Sequence, residues 1–437
     1  MKKKFIGIFI CMLLIVTAVP ITGQITKNIL IKDNDEINPS INGEKWMKTF
    51  GGKDSDVGNS VLQTSDGGYI VCGDTRSFGS GYEDIWVIKT DYKGDLIWEK
   101  KFGGDRSENG NSIQQTSDGG YIIAGNTHSY GKAGDVWLIK IDSYGNKLWD
   151  KTYGGDESDV GYDVKQTSDG GFIIIGFTTS YGAGYGDFYL IKTDSEGNML
   201  WEKTYGLEGD DRGTSVQQTP DGGFILTGWR TKFENTGVWL VKTNSEGEMT
   251  WDKGFTGPGV DRGHSVQITD DGGYIIVGEF EVYINDVPLF YHIWLIKTDS
   301  KGELLWENNF GAYGWYRGNS VQQTDDGGYI ICGDGPNNVR LDALLIKTNS
   351  EGKEEWTRFY GGIGSDIALS VKQTNDGGYI LSGFKASGLY NDLWLVKTDS
   401  TGNVPRNKAF NRSIPRSFEH FINLFPLLIR IYQRFAQ

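Results

Sequence analysis

The sequence predicts an all-β fold, a seven-bladed β-propeller with four antiparallel strands in each blade. Three observations support this prediction. Glycine is very frequent, with 63 residues in a chain of 437, and aromatic residues are abundant, a mixture typical of short strands joined by tight turns. A ten-residue segment, T-x-D-G-G-[YF]-I-x-x-G, occurs seven times, and seven tryptophans recur every 50 to 55 residues, the length of one blade. These are Trp46, Trp98, Trp149, Trp201, Trp251, Trp306 and Trp356.

One repeat shows how each element is predicted. Its parts are NSIQQT (111–116), SDGG (117–120), YIIAG (121–125), NTHSYGKAG (126–134), DVWLIKID (135–142), SYGN (143–146) and KLWDKTYGG (147–155). The first is a polar strand, and Asp-Gly-Gly after it supplies the positive φ that a hairpin turn requires. The two middle strands are almost continuously apolar, which indicates burial on both faces by stacked blades.

The ends of the chain predict how the ring closes. The seventh repeat ends at TDSTGN without a tryptophan, and Pro405 follows soon after it. The unassigned strand at 44–52, EKWMKTFGG, lies at the other end of the chain. We therefore expect this N-terminal strand to be the fourth strand of blade 7, joining the first blade to the last and removing two exposed edges.

The sequence divides into four segments. Residues 1–23 have a basic head and an apolar run typical of a secretory signal peptide, with an uncleaved membrane anchor as the alternative. Residues 24–43 are a linker, 44–404 the propeller, and 405–437 a basic and apolar C-terminal tail. The tail is interpreted as a sorting or anchoring segment, or alternatively as an amphipathic helix packed on the propeller. The predicted location is secreted or at the cell surface.

The charge and the cysteines exclude some functions. The formal net charge is −14, and this acidic character argues against nucleic acid as a partner. Apart from Cys11 in the apolar leader, the chain has only Cys72 and Cys332, in the same position of repeats 1 and 6. Because these repeats are not neighbours in a ring of seven, no disulfide is expected, and both are predicted to be small buried residues.

The turn before each tryptophan carries a family resemblance. The segment KTDSKGELLW (297–306) resembles the tryptophan-docking motif of quinoprotein-type propellers, and the likeness recurs over 44–404. The resemblance implies that each tryptophan locks neighbouring blades together. Quinoprotein dehydrogenases have eight blades and a vicinal cysteine pair above the cofactor. This chain has seven repeats and no such pair, so no quinone or other cofactor is predicted.

Two positions are filled alike in every repeat and are interpreted as structural. The threonine before each Asp-Gly-Gly turn is predicted to line a wet axial channel. These residues are Thr64, Thr116, Thr167, Thr219, Thr269, Thr324 and Thr374. A lysine near the end of each third strand is predicted to be a turn partner rather than a catalytic base. These residues are Lys89, Lys140, Lys192, Lys242, Lys297, Lys347 and Lys397.

The loops between blades contain a recurring acidic position. It holds Asp56, Glu108, Asp159, Asp211, Asp261 and Asp366, with Tyr316 in the remaining repeat. One hypothesis is an acidic collar at the channel mouth that binds a cation, with Ca²⁺ favoured because its ligands are oxygens. The alternative is that each carboxylate caps its own loop.

The position after the acidic one varies, and it predicts a ligand site. It holds Arg212, Arg262 and Arg317 on three consecutive repeats. The two tryptophans outside the regular positions, Trp229 and Trp315, fall in the same sector, as do Tyr316 and the long loop 279–292. Arginine, tryptophan and tyrosine are typical of binding hot spots. We therefore predict a ligand-binding site on the top face over blades 4 to 6; local loop packing is the alternative.

No catalytic constellation is found in the sequence. The four histidines lack zinc-ligand spacing, and no nucleophile elbow or phosphate-binding motif occurs. The favoured function is a binding or interaction module for a glycan or a protein or peptide, with the propeller itself monomeric. The alternatives are a carbohydrate-active enzyme, such as a glycoside hydrolase or lyase, and a non-catalytic envelope scaffold. Membrane contact is expected only through the tail or an uncleaved signal.

Overall fold

The computed structural model describes residues 44–405, except 233–234, 258, 285–286, 313 and 338–339. The predicted signal peptide, the linker and almost all of the C-terminal tail lie outside the described residues. Every regular element of the described part is a β-strand, so it offers no helix that could cross a membrane.

Twenty-eight strands form seven four-stranded antiparallel sheets in the described part. The chain starts with β1 (Trp46–Phe50). Blades 1 to 3 contain β2 (Asp56–Gln63), β3 (Tyr69–Thr75), β4 (Asp84–Thr90), β5 (Leu96–Phe102), β6 (Glu108–Gln115), β7 (Tyr121–Thr127), β8 (Asp135–Ile141), β9 (Lys147–Tyr153), β10 (Asp159–Gln166), β11 (Phe172–Thr178), β12 (Asp187–Thr193) and β13 (Met199–Tyr205). Blades 4 and 5 contain β14 (Arg212–Gln218), β15 (Phe224–Lys232), β16 (Asn235–Thr243), β17 (Met249–Phe255), β18 (Arg262–Ile268), β19 (Tyr274–Ile284), β20 (Val287–Thr298) and β21 (Leu304–Phe310). Blades 6 and 7 contain β22 (Arg317–Gln323), β23 (Tyr329–Asn337), β24 (Arg340–Thr348), β25 (Glu354–Tyr360), β26 (Ile367–Gln373), β27 (Tyr379–Ser387) and β28 (Tyr390–Thr398).

The ring is closed by the N-terminal strand, as the sequence predicts. The strand order of blade 7 is β1-β28-β27-β26, and β1 runs antiparallel to β28 from Trp46 opposite Lys397 to Phe50 opposite Leu393. The prediction of a seven-bladed propeller closed in this way is confirmed.

The core lies between neighbouring blades. In blade 2 every residue of the two middle strands, β7 and β8, is buried. Each cluster of buried apolar residues combines side chains of two adjacent blades; one joins Cys72 and Ile85 of blade 1 to Tyr121 and Trp137 of blade 2. Cys72 and Cys332 are buried free thiols, as expected. Because each blade supplies half of two such clusters, no blade can bury its apolar surface alone.

Each of the seven regular tryptophans packs on a glycine of the next blade. A Cβ atom at Gly197 would lie 2.7 Å from Trp149 Cζ3, and Gly197 has a φ of +74°. The same contact joins Trp46 to Gly94 across the closure, where Trp46 Nε1 donates to the Tyr92 carbonyl at 3.1 Å. The indole plane thus needs a residue without a side chain at this turn.

The uniform lysines and threonines stabilise the Asp-Gly-Gly hairpins. Lys140 Nζ and Thr116 Oγ1 both donate to Asp118, with Nζ at 3.0 Å from Oδ2 in the ion pair. Burial alone would raise the pKa of Asp118, but its bonds from Thr116, Lys140 and the Gly120 N–H hold that pKa at about 2. The lysine is a turn partner, as predicted. The threonine prediction is wrong: these side chains are buried against the hairpin and do not line the channel.

Candidate functional site

Three arginines lie at matching positions on the top face, the side that carries the loops between blades. Arg212, Arg262 and Arg317 are the first residues of β14, β18 and β22, the inner strands of blades 4, 5 and 6. The antiparallel register places Trp229 opposite Arg212, Glu279 opposite Arg262 and Asp334 opposite Arg317. The side chains that surround each arginine therefore come from the second strand of its own blade and from the adjacent blade.

Trp229 stands between two of these arginines. The guanidinium carbon of Arg212 lies 6.0 Å from the centre of the indole ring, and that of Arg262 lies 5.7 Å from it. Arg212 also lies 4.3 Å from the ring centre of Phe177 in blade 3. Trp229 is half-buried, so part of its ring remains open to solvent. The structure thus brings together Arg212, Trp229 and Arg262, which we call the Arg–Trp–Arg cluster.

Each arginine has a carboxylate partner that the sequence analysis missed. Arg212 Nε donates to Asp210 Oδ1 at 3.0 Å, and Arg262 Nη1 donates to Glu279 Oε1 at 3.0 Å. Arg317 donates from Nε and Nη2 to Asp334 Oδ2 at 3.3 and 3.2 Å. The positive charge of each of the three guanidinium groups is therefore balanced locally.

His264 adds a titratable group to this sector. It follows Arg262 by two residues on β18, and its ring makes an edge contact with Trp229 at 6.3 Å between centres. Nε2 lies 3.9 Å from Glu279 Oε1 and has no hydrogen-bond partner among the described residues. Burial lowers the pKa of His264; Glu279 acts in the opposite direction, and Arg262 and Arg317 lower it further. Burial and the two arginines therefore favour the neutral imidazole.

Trp315 and Tyr316 belong to a different surface. Trp315 is 62 % exposed and makes an edge contact with Tyr291 at 6.1 Å, whereas Tyr316 packs on His292 at 6.3 Å. Both partners lie on β20 of blade 5, at the junction with blade 6. The described ring contacts of Trp315 and Tyr316 are thus with the long blade 5 hairpin, and Tyr316 also lies against Gly335 of blade 6; neither contacts the Arg–Trp–Arg cluster in the described structure.

The six acidic residues of the interblade loops are buried in separate loops. Each of them is 0 % exposed. Asp159 Oδ2 accepts the Gly155 N–H and the Ser180 hydroxyl, each at 2.8 Å, and Asp211 accepts the backbone N–H groups of Leu207 and Thr231. They do not present an open collar at the channel mouth, and no three His, Cys, Asp or Glu side chains converge on one metal position within the described residues.

The axial channel below the top face is polar and asymmetric. It contains a cavity of about 410 Å³, lined by inner-strand residues of all seven blades, including His264. In blade 3, Asp163 accepts bonds from Ser112 Oγ at 2.8 Å and from Lys165 Nζ. Across the channel, burial lowers the pKa of Lys372, and Lys165 lowers it further. The channel therefore combines one buried carboxylate with two lysines.

Among known proteins, this chain is similar to solved structures in its fold. No family model matches the chain, and no curated protein matches it. Two solved structures of the polysaccharide lyase PL25, an ulvan lyase, have a TM-score of 0.53. The one bound to -[GlcA(1-4)Rha3S]- is 12% identical over 81% of this chain and 96% of its own; the other is 11% identical over 82% and 96%. The extracellular domain of a hybrid two component system from B. thetaiotaomicron has a TM-score of 0.47, with 11% identity over 84% of this chain and 45% of its own. The likeness to the two ulvan lyase structures shows a shared fold and nothing finer.

Proposed function

We propose that this chain is a secreted or cell-surface binding module whose top face over blades 4 to 6 binds a glycan that carries uronate groups. The observation that carries the proposal is the partly buried indole of Trp229 between the guanidinium groups of Arg212 and Arg262. An indole face suits a sugar ring, and a guanidinium suits a carboxylate. The surface location rests on the signal-like segment 1–23.

The ion pairs of the arginines favour a weakly charged ligand over a polyanion. A guanidinium carries five N–H donors, and each pair to a carboxylate engages one or two of them. A ligand carboxylate would therefore share a guanidinium already held in place, without a net positive field around it. A uronate beside a neutral sugar fits this arrangement better than a sulfate-rich chain.

The binding test compares two arginines, Arg262 and Arg230, that make similar contacts at different positions. Arg262→Ala and Trp229→Ala should each weaken binding of an acidic oligosaccharide by about 1–3 kcal/mol, or 5- to 150-fold, without lowering the melting temperature. Arg230→Ala is the matched control, because Arg230 also stacks on an indole, that of Trp239 at 4.5 Å, and pairs with Asp252. Titration calorimetry on oligosaccharides found by a glycan array gives the affinities.

Three outcomes would contradict this assignment. Equal losses in Arg230→Ala and Arg262→Ala would show a general effect of arginine removal. A loss confined to Trp315→Ala would move the site to the surface at the blade 5–6 junction. Binding of acidic peptides but of no glycan on a parallel array would replace the ligand class.

A second candidate function, elimination within a uronate glycan, is favoured by His264. Burial lowers the pKa of His264 and so favours its neutral form, and Nε2 lacks a hydrogen-bond partner among the described residues, while Arg262 on the same strand is suited to a carboxylate. With the uronate carboxylate held by arginine, a neutral imidazole could take the proton from the carbon beside it. The C4–O4 bond would break as the C4–C5 double bond forms, and the departing O4 would take a proton from solvent water while the imidazolium returns its proton to solvent.

This candidate has its own test. The full-length chain should raise the ultraviolet absorbance of a polyuronate solution as double bonds form, and His264→Asn should abolish the increase while oligosaccharide affinity changes less than threefold. Absence of any absorbance increase with the wild-type chain would leave the binding module as the only function of this site.

A further inference from the structure

A second set of carboxylates faces the acidic residues of the interblade loops. It comes from the third strand of a blade, and each member meets the acidic residue that opens the next blade. We call these couples the junction pairs. They are Asp392/Asp56, Asp84/Glu108, Asp135/Asp159, Asp187/Asp211 and Asp342/Asp366. Five of the seven blade junctions therefore contain two carboxylates from different blades.

The two carboxylates of a junction pair meet at one glycine. A Cβ atom at Gly154 would lie 2.5 Å from Asp135 Oδ1 and 2.4 Å from Asp159 Oδ2. The separation of these two oxygens cannot exceed the sum of the two distances. One Ca²⁺ ion bridges a separation of this size, because its Ca–O bonds are about 2.3–2.6 Å long. The corresponding glycines of the other four pairs are Gly51, Gly103, Gly206 and Gly361.

The blade 2–3 junction also contains buried oxygens that lack a partner. Asp135 is 5 % exposed and Asp159 is fully buried, yet Oδ1 of each has no hydrogen-bond partner among the described residues. The other oxygen of Asp135 accepts the Lys132 N–H at 3.1 Å. Two buried carboxylates side by side repel each other, and an unpaired buried oxygen is costly. A cation held between Asp135 Oδ1 and Asp159 Oδ2 would offset the repulsion and give the unpaired Asp135 Oδ1 a partner.

The two remaining junctions lack the pair. At the blade 4–5 junction Gly237 replaces the third-strand carboxylate and Thr256 replaces the glycine, so that a Cβ at Gly237 would lie 2.5 Å from Thr256 Cγ2. At the blade 5–6 junction His292 and Tyr316 replace the two carboxylates and stack edge to face. Asp261 at the blade 4–5 junction thus has no third-strand carboxylate facing it, and the blade 5–6 junction keeps only the glycine, Gly311, beside His292 and Tyr316.

We propose that the Asp135/Asp159 pair binds one divalent cation of the Ca²⁺ class and that the other four junction pairs are copies of this site. Two carboxylates supply ligand oxygens, and loop carbonyls and water complete the shell, since Gly154 and Gly155 are half-exposed. The cation would join the third strand of one blade to the first strand of the next. This role is independent of the ligand site proposed above.

The test counts Ca²⁺ ions with a matched pair of variants. The full-length chain, freed of metal with a chelator, is titrated with CaCl₂ by calorimetry. We expect about five ions per chain, and about one fewer in Asp135→Asn. Asp261→Asn is the control, because Asp261 occupies the same position as Asp159 and accepts backbone N–H bonds from Gly257 and Glu281, but Gly237 stands where the facing third-strand carboxylate would be. It should bind as many ions as the wild type.

A second readout covers variants that fold poorly. CaCl₂ should raise the melting temperature of the wild type and of Asp261→Asn equally, and that of Asp135→Asn and Asp187→Asn by less. Absence of Ca²⁺ binding by the wild type would overturn the proposal. An equal loss of ions in Asp135→Asn and Asp261→Asn would also overturn it. So would a metal-free Asp135→Asn variant that is more stable than the metal-free wild type, together with a wild-type melting temperature that does not respond to Ca²⁺, because the two carboxylates would then share a proton.

Discussion

Deletion of residues 44–52 should lower the free energy of unfolding by several kcal/mol and make the protein self-associate. The deletion removes β1 and with it Trp46, which is 7 % exposed and packs on Gly94 and Tyr69 of blade 1. Burial of one indole contributes up to about 4–6 kcal/mol by area. The deletion also leaves β28 with unpaired backbone groups along its whole edge, and such an edge recruits other chains.

Denaturant titration and size-exclusion chromatography check both parts of this prediction. Trp149→Ala is the control, since Trp149 makes the same contact with Gly197, but its strand β9 remains paired with β8. We expect this variant to lose stability and to stay as monomeric as the wild type. A deletion variant that unfolds at the wild-type midpoint and elutes as a monomer would contradict closure by β1.

Substitution of Gly176 by alanine should destabilise the protein by more than about 3 kcal/mol. A Cβ atom there would lie 1.7 Å from the carbonyl oxygen of Val160 on the neighbouring strand, and backbone cannot move aside as a side chain can. The close approach occurs where the register between β10 and β11 shifts after Gly161. The added methyl group must therefore separate the two strands or remove the bulge.

Gly170→Ala is the matched control in the same blade. Gly170 has a φ of +83°, so alanine is strained there, but no atom lies within 4 Å of its added Cβ. We expect a loss of about 1–2 kcal/mol from the left-handed backbone alone. Equal midpoints of unfolding for the two variants would show that the strand contact at Gly176 is not as close as described.

The closure of the ring could be predicted because both ends of the repeat array indicate it. The seventh repeat lacks its tryptophan strand and the N-terminus supplies one, so only one arrangement satisfies both ends. The direction in which the recurring threonine side chains point could not be predicted from the polarity of their strands. Thr116 lies in a polar strand, and its hydroxyl binds a hairpin carboxylate two residues ahead instead of facing the channel.

The arginines of the candidate site were predicted because they occupy matching positions of consecutive repeats. Their carboxylate partners were missed. Arg212 and Arg262 occupy the same position of consecutive repeats, which places them side by side in any propeller. Their partners Asp210 and Glu279 follow from loop conformation and strand register, which the repeat pattern does not reveal. Trp315 and Tyr316 are next to Arg317 in sequence, yet the junction directs them toward blade 5. His264 could not be found from strand alternation, because the register of β18 shifts between Gly263 and Ser265, at His264 itself.

The pairing of β1 with β28 also bears on how such a gene can change. Every other strand pairs within its own repeat, so a blade forms whatever the number of blades beside it. Only contacts such as Lys45 to Asp399, 354 positions apart, require both ends of the array to meet. Unequal recombination that adds or removes one whole repeat leaves those two ends unaltered. The number of repeats can therefore change by whole units. Only products whose ring diameter still lets the two ends meet are retained by selection.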